Sequence, residues 1–302
     1  MNRKLVSLCA LGTIALAPQM HAQGTKSTPA VESWNTVDSI LGRKGAAQPG
    51  DVMRYGFPRS DLTVTVRGVQ LKPAFALGTW VAFKGIHGAV MAMGDLVLTE
   101  DEVEPVMLAL QKGGVDQTAL HNHLLGESPR VMYMHIRAHG SAPAIARTIR
   151  GALSTTHTPL GPPSPPSSQP VDLDTAAVAS ALGYHGTTNG GVYQVTVPRS
   201  DRVTENGMEI PPSMGVATAI NFQPTGGGNA AITGDFVMTA NEVNRVIRAL
   251  QSNHIQPAAL HSHMLGESPR LFFMHFWAND NALALARGLH AALLQMRVKA
   301  GQ

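Results

Sequence analysis

Two stretches of the chain hold residue types suited to metal chemistry. Ala119 to His135 reads Ala-Leu-His-Asn-His-Leu-Leu-Gly-Glu-Ser-Pro-Arg-Val-Met-Tyr-Met-His. Ala259 to His275 repeats it as Ala-Leu-His-Ser-His-Met-Leu-Gly-Glu-Ser-Pro-Arg-Leu-Phe-Phe-Met-His, 140 residues later. Each stretch holds His-x-His, a Glu four residues on, and a third His eight residues after the Glu. The candidate ligand sets are therefore His121, His123, Glu127 and His135, and His261, His263, Glu267 and His275. Three imidazoles and a carboxylate suit a divalent transition metal. The donor types do not choose among Zn, Fe, Mn, Ni and Cu.

The spacing favours convergence. Alternate residues of a strand share a face, so His121 and His123 point the same way. A turn at Gly126–Pro129 returns the chain antiparallel, and pairing about position 128 sets Tyr133 opposite His123 and His135 opposite His121. Cross-strand neighbours lie about 4.5–5.5 Å apart at Cβ. That is close enough for three imidazoles to share one ion at about 2.0–2.1 Å per bond. Glu127 and Glu267, in the turns, either complete the ligand set or act as general bases on water whose pKa a cation brings towards about 7. The competing reading is a half-buried hairpin whose histidines bond backbone or acids and hold no ion. Matched spacing in both halves favours metal.

Other retained residues extend the candidate site. Arg130 and Arg270, just past the turns, can hold an anion or pin Glu127 and Glu267. Tyr133 and Arg137 flank His135 on its strand face, where a hydroxyl and a guanidinium can bind an anionic or carbonyl-bearing ligand. Their counterparts beside His275 are Phe273 and Trp277, an apolar wall. The difference predicts a reactive first site and a structural second one. Pro58-Arg59-Ser60-Asp61 and Pro198-Arg199-Ser200-Asp201 read as ion pairs ending a strand, and Gly94-Asp95 and Gly234-Asp235 as turns.

The elements that must position these residues also occur twice. Short Val/Thr/Phe-containing runs broken by Gly and Pro over 52–69 and 75–93 read as strands and hairpins. Thr99 and Glu102 form a capping box, followed by one apolar helix face at Val103, Val106, Met107 and Leu110. Gly113-Gly114 ends that helix. A closing helix has apolar residues at Ala142, Ile145, Ala146, Ile149 and Leu153, matched by Ala282, Leu285, Ala286, Leu289 and Leu293. The expected fold is α+β, a tandem duplication of a strands–helix–β-hairpin–helix unit packed as a pseudo-twofold pair. Its repeat domains span 35–155 and 172–296, joined by a Pro/Ser-rich linker over 156–171.

Arg3 and Lys4, the short apolar run Leu5–Ala17 and small Ala22 read as a signal peptide over 1–22. Cys9 offers a lipoprotein alternative, but Leu8 before it is not small. The whole chain carries a formal charge of +3. Removing two basic residues and no acids leaves 21 basic against 20 acidic, or +1. The exported chain then has no cysteine, which excludes a disulfide framework and thiolate ligands. Without a basic excess there is no footprint for nucleic acid, and no transmembrane segment is expected in the mature chain.

The strings Gly-Asp-x-Val-x-Thr-x-x-Glu-Val and Ala-Leu-His-x-His-x-Leu-Gly-Glu-x-Pro-Arg, with the Met-His pair, each occur twice. Through them nearly the whole mature chain resembles the LppY/LpqO family of bacterial exported proteins and lipoproteins, a domain-of-unknown-function family. The resemblance implies export and the duplicated unit, and lends no activity. His-x-His-x3-Glu is also similar to the first cupin motif, but the third His follows too soon for that fold.

The function expected is an exported, periplasmic or secreted metal-binding protein with three histidines and one Glu per repeat. Such sites support hydrolytic or oxygen-dependent chemistry on a small molecule. A non-catalytic metal-binding or ligand-sensing module, and a structural or interaction protein without metal, are the alternatives. An open coordination position beside a pocket marks the enzyme; closed sites mark the module.

Overall fold

The computed structural model describes residues 34–86, 89–162 and 170–301. The signal-like segment 1–22 and the linker stretch 163–169 lie outside the described residues. The first half opens with helix α1 (Trp34–Leu41) and strands β1 (Ala46–Gln48) and β2 (Val52–Pro58). Two-residue strands β3 (Thr65–Val66) and β4 (Val69–Gln70) and the short α2 (Pro73–Ala76) follow. Next come β5 (Gly78–Ile86), β6 (Ala89–Thr99), α3 (Val103–Lys112) and β7 (Asp116–His121). The half ends with β8 (Glu127–Ser128), β9 (Val131–Gly140) and α4 (Ala142–Leu153).

The second half repeats this order. It contains α5 (Thr175–Leu182), β10 (Gly186–Asn189), β11 (Val192–Pro198), β12 (Thr204–Glu205) and β13 (Met208–Glu209). Then come β14 (Ala217–Gly226), β15 (Asn229–Thr239), α6 (Ala240–Ser252) and β16 (Gln256–His261). Finally, β17 (Glu267–Ser268), β18 (Leu271–Asn281) and α7 (Ala282–Leu293) complete it.

Each half builds a six-stranded antiparallel sheet, ordered β1-β2-β5-β6-β9-β7 and β10-β11-β14-β15-β18-β16. Alternation along the inner strands explains the layers. On β6, Val90, Ala92, Leu96 and Leu98 join the core under α3 and α4, with Met134 and Ile136 of β9. Met91, Met93 and Val97, one residue out of phase, enter cores shared with the other half. Met91 and Met93 meet Met214, Val237, Met264 and Phe273, whereas Val97 shares a cluster with Val192, Ala231 and Trp277. The two sheets thus pack face to face with the longer helices outside. A strand buried on both faces reads as a continuous apolar run rather than an alternation, as β6 does.

The helices agree with the apolar periods. Val106 and Leu110 are buried on α3, and Ile145, Ala146, Ile149 and Leu153 on α4. Capping boxes form at Thr99/Glu102 and Thr239/Glu242. The leading helices α1 and α5 are additions to the expected unit. Glu102 also does more than cap. It accepts from the fully buried guanidinium of Arg59 at 2.7 and 3.1 Å, and Arg59 also pairs with Asp61. Arg199, Asp201 and Glu242 repeat the arrangement.

Two local expectations are corrected. Gly94-Asp95 and Gly234-Asp235 are not turns; they sit within β6 and β15. The hairpin is not tight either, because Glu127–Ser128 leaves it to pair with Thr65–Val66. That longer excursion moves the register by two residues: His121 pairs with Tyr133, and Ala119 with His135. An even slip preserves which side chains share a face, so the histidines still converge. The start of the Pro/Ser stretch is tied to the first half. Arg43 donates to the carbonyls of Pro159 and Gly161, Arg150 to that of Leu160, and the His157 amide to Glu102.

Candidate metal centre

The site is assembled on the inward sheet faces. Asp95 on β6 is the cross-strand partner of His135 on β9. His121 ends β7, and His123 lies just beyond it with its ring stacked on Tyr133 at 3.2 Å between centroids. The second half repeats the pairing with Asp235 and His275. Gly94 and Gly234 permit this placement, since a Cβ on Gly94 would meet the Trp80 carbonyl oxygen at 2.7 Å. On Gly234 it would meet the Ala219 carbonyl.

The two histidine clusters are one. Rings of opposite halves lie face to face: His121 with His261 at 3.6 Å, His123 with His275 at 3.7 Å, and His135 with His263 at 3.6 Å. Exchanging the halves turns the first contact into itself and interchanges the other two. Among the described residues, donor atoms within 4.8 Å of one another form four groups. These are His121, His135, His261 and His263; His121, His123 and His275; Asp95, His123 and His135; and Asp235, His263 and His275. None gathers all three histidines of one half.

The donors lack partners. Oδ1 of Asp95 and Asp235, Nε2 of His121, His123, His135 and His275, and Nδ1 of His261 are buried without a hydrogen bond among the described residues. Native interiors satisfy nearly all such atoms, and a bound ion is one of the few reasons for leaving them free. Asp95 lies 3.9 and 3.8 Å from Nε2 of His123 and His135, too far for a hydrogen bond. The Gly234 carbonyl 2.8 Å from Nδ1 of His275 and the Asn122 carbonyl 3.2 Å from Nδ1 of His121 accept hydrogen bonds there, which keeps the proton on Nδ1. That leaves each Nε2 lone pair free to ligate. Nε2 of His261 and His263 approach to 2.9 Å, a distance at which two nitrogens share either a proton or a cation.

Burial controls protonation. It lowers His121 to about 4 and His275 to about 3, and holds His123, His135, His261 and His263 well below their usual range, with neighbouring histidines adding to the effect on these four. The imidazoles are therefore neutral, the form that binds metal. Burial raises Asp95 to about 7 against the opposing pull of Arg54, and holds Asp235 well above the usual carboxylate range, with Asp95 contributing. Carboxylates buried without a cation resist ionisation, and a metal ion would relieve that cost.

The other sequence candidates lie around this core. Glu127 and Glu267 belong to none of the four donor groups. Glu127 Oε1 accepts from the Leu124 amide at 2.9 Å, Oε2 is buried without a partner, and burial raises the group to about 7. Glu267 instead accepts from the Leu271 amide and from Arg270 at 3.1 Å. Arg130 is exposed and points to Glu100. The Tyr133 hydroxyl donates to the Ala76 carbonyl. Arg137 crosses to Glu205 of the second half at 2.8 Å and pairs with Asp116. Its counterpart Trp277 packs on Phe75 in an apolar cluster with Val66, the position matching Glu205. Charge meets charge on one side and apolar meets apolar on the other.

Asp95 and Asp235 were missed as site residues. The available signal was an acid retained at the 140-residue offset inside an otherwise apolar strand. Next to His135 and His263 lies a cavity of about 10 Å³, also lined by Trp80, Met93, Met214 and Met264. It has room for about one water.

A family model described as Domain of Unknown Function (DUF1259) matches residues 35–155 and again 176–295. The chain belongs to this family, in two tandem copies. No curated protein matches the chain. One solved structure, a trimeric bacterial microcompartment shell protein PduB, is 12% identical, with 86% of this chain and 97% of that chain covered. Its TM-score is 0.23, which supports no structural inference.

Proposed function

We propose that the chain is a metal-binding protein whose centre is supplied jointly by its two repeats, related by a local twofold. The observation that carries this reading is the convergence of seven buried, unpartnered donor atoms from both halves. His121, His123, His135, His261, His263 and His275, with Asp95 and Asp235, would hold a divalent transition ion. Neutral imidazoles and two carboxylates fit Zn, Fe, Mn, Ni or Cu. The likeness to exported LppY/LpqO proteins and the leading segment support an exported location, with repeat domains at 35–155 and 172–296.

The small cavity and the occupied side chains of Tyr133, Arg137 and Arg270 favour a closed binding module over an enzyme. One observation favours catalysis as the second reading. Glu127 keeps a buried free oxygen and a pKa of about 7, suited to accepting a proton near neutrality. Arg270 holds Glu267, so the two carboxylates would not share that role. The chemistry a bound cation supplies is Lewis acidity towards water or a small molecule, with Glu127 holding the proton.

The test is element analysis of untagged protein purified from its own compartment. A stoichiometric transition metal is expected. Metal-free protein that also binds no added divalent ion would exclude the reading.

A further inference from the structure

Eight donors exceed the four of a usual zinc site and the six of an octahedral one. Their grouping indicates how they divide. Exchanging the halves carries His121, His123 and His275 onto His261, His263 and His135. The first trio forms one group of mutually close donors, and the second lies within the four-histidine group. The carboxylates sit between the trios. Asp95 faces His123 with Oδ2 at 3.9 Å and His135, of the other trio, with Oδ1 at 3.8 Å. Asp235 faces Nε2 of His263 with Oδ2 at 3.4 Å, and its Oδ1 lies 3.9 Å from Nδ1 of His275, the ring nitrogen turned to the Gly234 carbonyl. Each carboxylate therefore lies between the trios, with one oxygen towards a histidine of each.

We propose that the centre binds two cations, each held by the His-x-His of one half and the third histidine of the other. One takes His121, His123 and His275; the other takes His261, His263 and His135; Asp95 and Asp235 bridge them. The proposal rests on the metal-binding reading and adds the number of ions and the exchange of the third histidine. Two ions so bridged would have the separation general to two-metal sites, about 3.5–4 Å. The exchange also makes each ion a cross-link between the sheets.

The test uses the full untagged chain, stripped by chelation and titrated with Co(II), with bound cobalt counted after desalting. Two Co(II) per chain are expected. His123→Gln with His275→Gln should retain one, because both changes fall on one ion. His123→Gln with His135→Gln should retain none. One Co(II) in the unaltered chain would overturn the proposal, as would the reverse result for the two double variants. If the variants misfold, electron paramagnetic resonance of the unaltered chain decides. Signal lost between one and two equivalents marks adjacent coupled ions, and two independent signals overturn the bridge. No bound cobalt would remove the metal-binding reading itself, and this proposal with it.

Discussion

At the residue scale, sequence-identical groups behave differently because their neighbours differ. Glu127 and Glu267 begin the matching strands β8 and β17, yet of the two only Glu267 has a guanidinium partner among the described residues. Because the folded pKa of Glu127 is raised, the folded state binds the extra proton between about 4.5 and 7. Its contribution to stability therefore improves as pH falls through that window, worsens as pH rises through it, and is constant at its unfavourable limit above it. In the metal-free protein, Glu127→Gln should be neutral or stabilising at pH 8, by on the order of 1–2 kcal/mol, and lose that advantage at pH 5. Denaturant titrations at the two pH values check this; destabilisation at pH 8 would refute it. The buried pair Arg59–Glu102 gives the opposite sign. Glu102→Ala leaves a fully buried guanidinium with Asp61 as its only carboxylate partner, beside the Val97 carbonyl, and should cost about 3 kcal/mol in a denaturation midpoint measurement. Glu242→Ala should match it.

At the element scale, β6 and β15 organise the site because they are buried on both faces and carry Asp95 and Asp235 inward. Gly94 and Gly234 let the neighbouring strand approach there. Gly94→Ala drives a Cβ against the Trp80 carbonyl, and backbone cannot yield as a flexible side chain does. The expected cost is about 1–3 kcal/mol, with weaker metal binding because Asp95 moves with its strand. Calorimetry and metal titration read the two effects; an unchanged melting temperature would show that the sheet can open locally. The hairpin expectation erred in register because the pairing of β8 with β3 is non-local, invisible in the hairpin's own residues.

At the scale of the whole molecule, the centre links folding to acidity. Six buried imidazoles have depressed pKa values, while Asp95, Asp235 and Glu127 are raised. Between about pH 6.5 and 4.5 the unfolded chain binds more protons at the histidines, and the folded chain more at the acids. Six outnumber three, so stability of the metal-free protein should fall as pH drops through this window. The slope is at most about 1.4 kcal/mol per pH unit for each excess proton. Melting temperatures across the window test the sign. The shared cores add a second expectation. A first repeat expressed alone, residues 35–155, would expose Val64, Val66, Phe75, Met91, Met93 and Val97. It should self-associate in size-exclusion chromatography, because apolar patches of that extent are rarely tolerated on a monomer. A soluble, folded monomer would contradict this.

The sequence by itself determined the duplication, the capped and closing helices of each repeat, and the identity of six histidines as a chemical set. Those features rest on local periodicity, caps and strict spacing, which a chain expresses without knowing its partners. It did not determine that the clusters of the two halves are one, nor that Asp95 and Asp235 are their nearest carboxylates. Gly94-Asp95 has the composition of a turn. Only sheet-on-sheet packing makes it a strand with an acid facing the histidines. Glu127 was the carboxylate nearest in sequence, but the pairing of Glu127–Ser128 with Thr65–Val66 holds it outside the four donor groups. Side chains 140 residues apart meet because each sheet has a second apolar face to bury, and the other sheet supplies the matching surface.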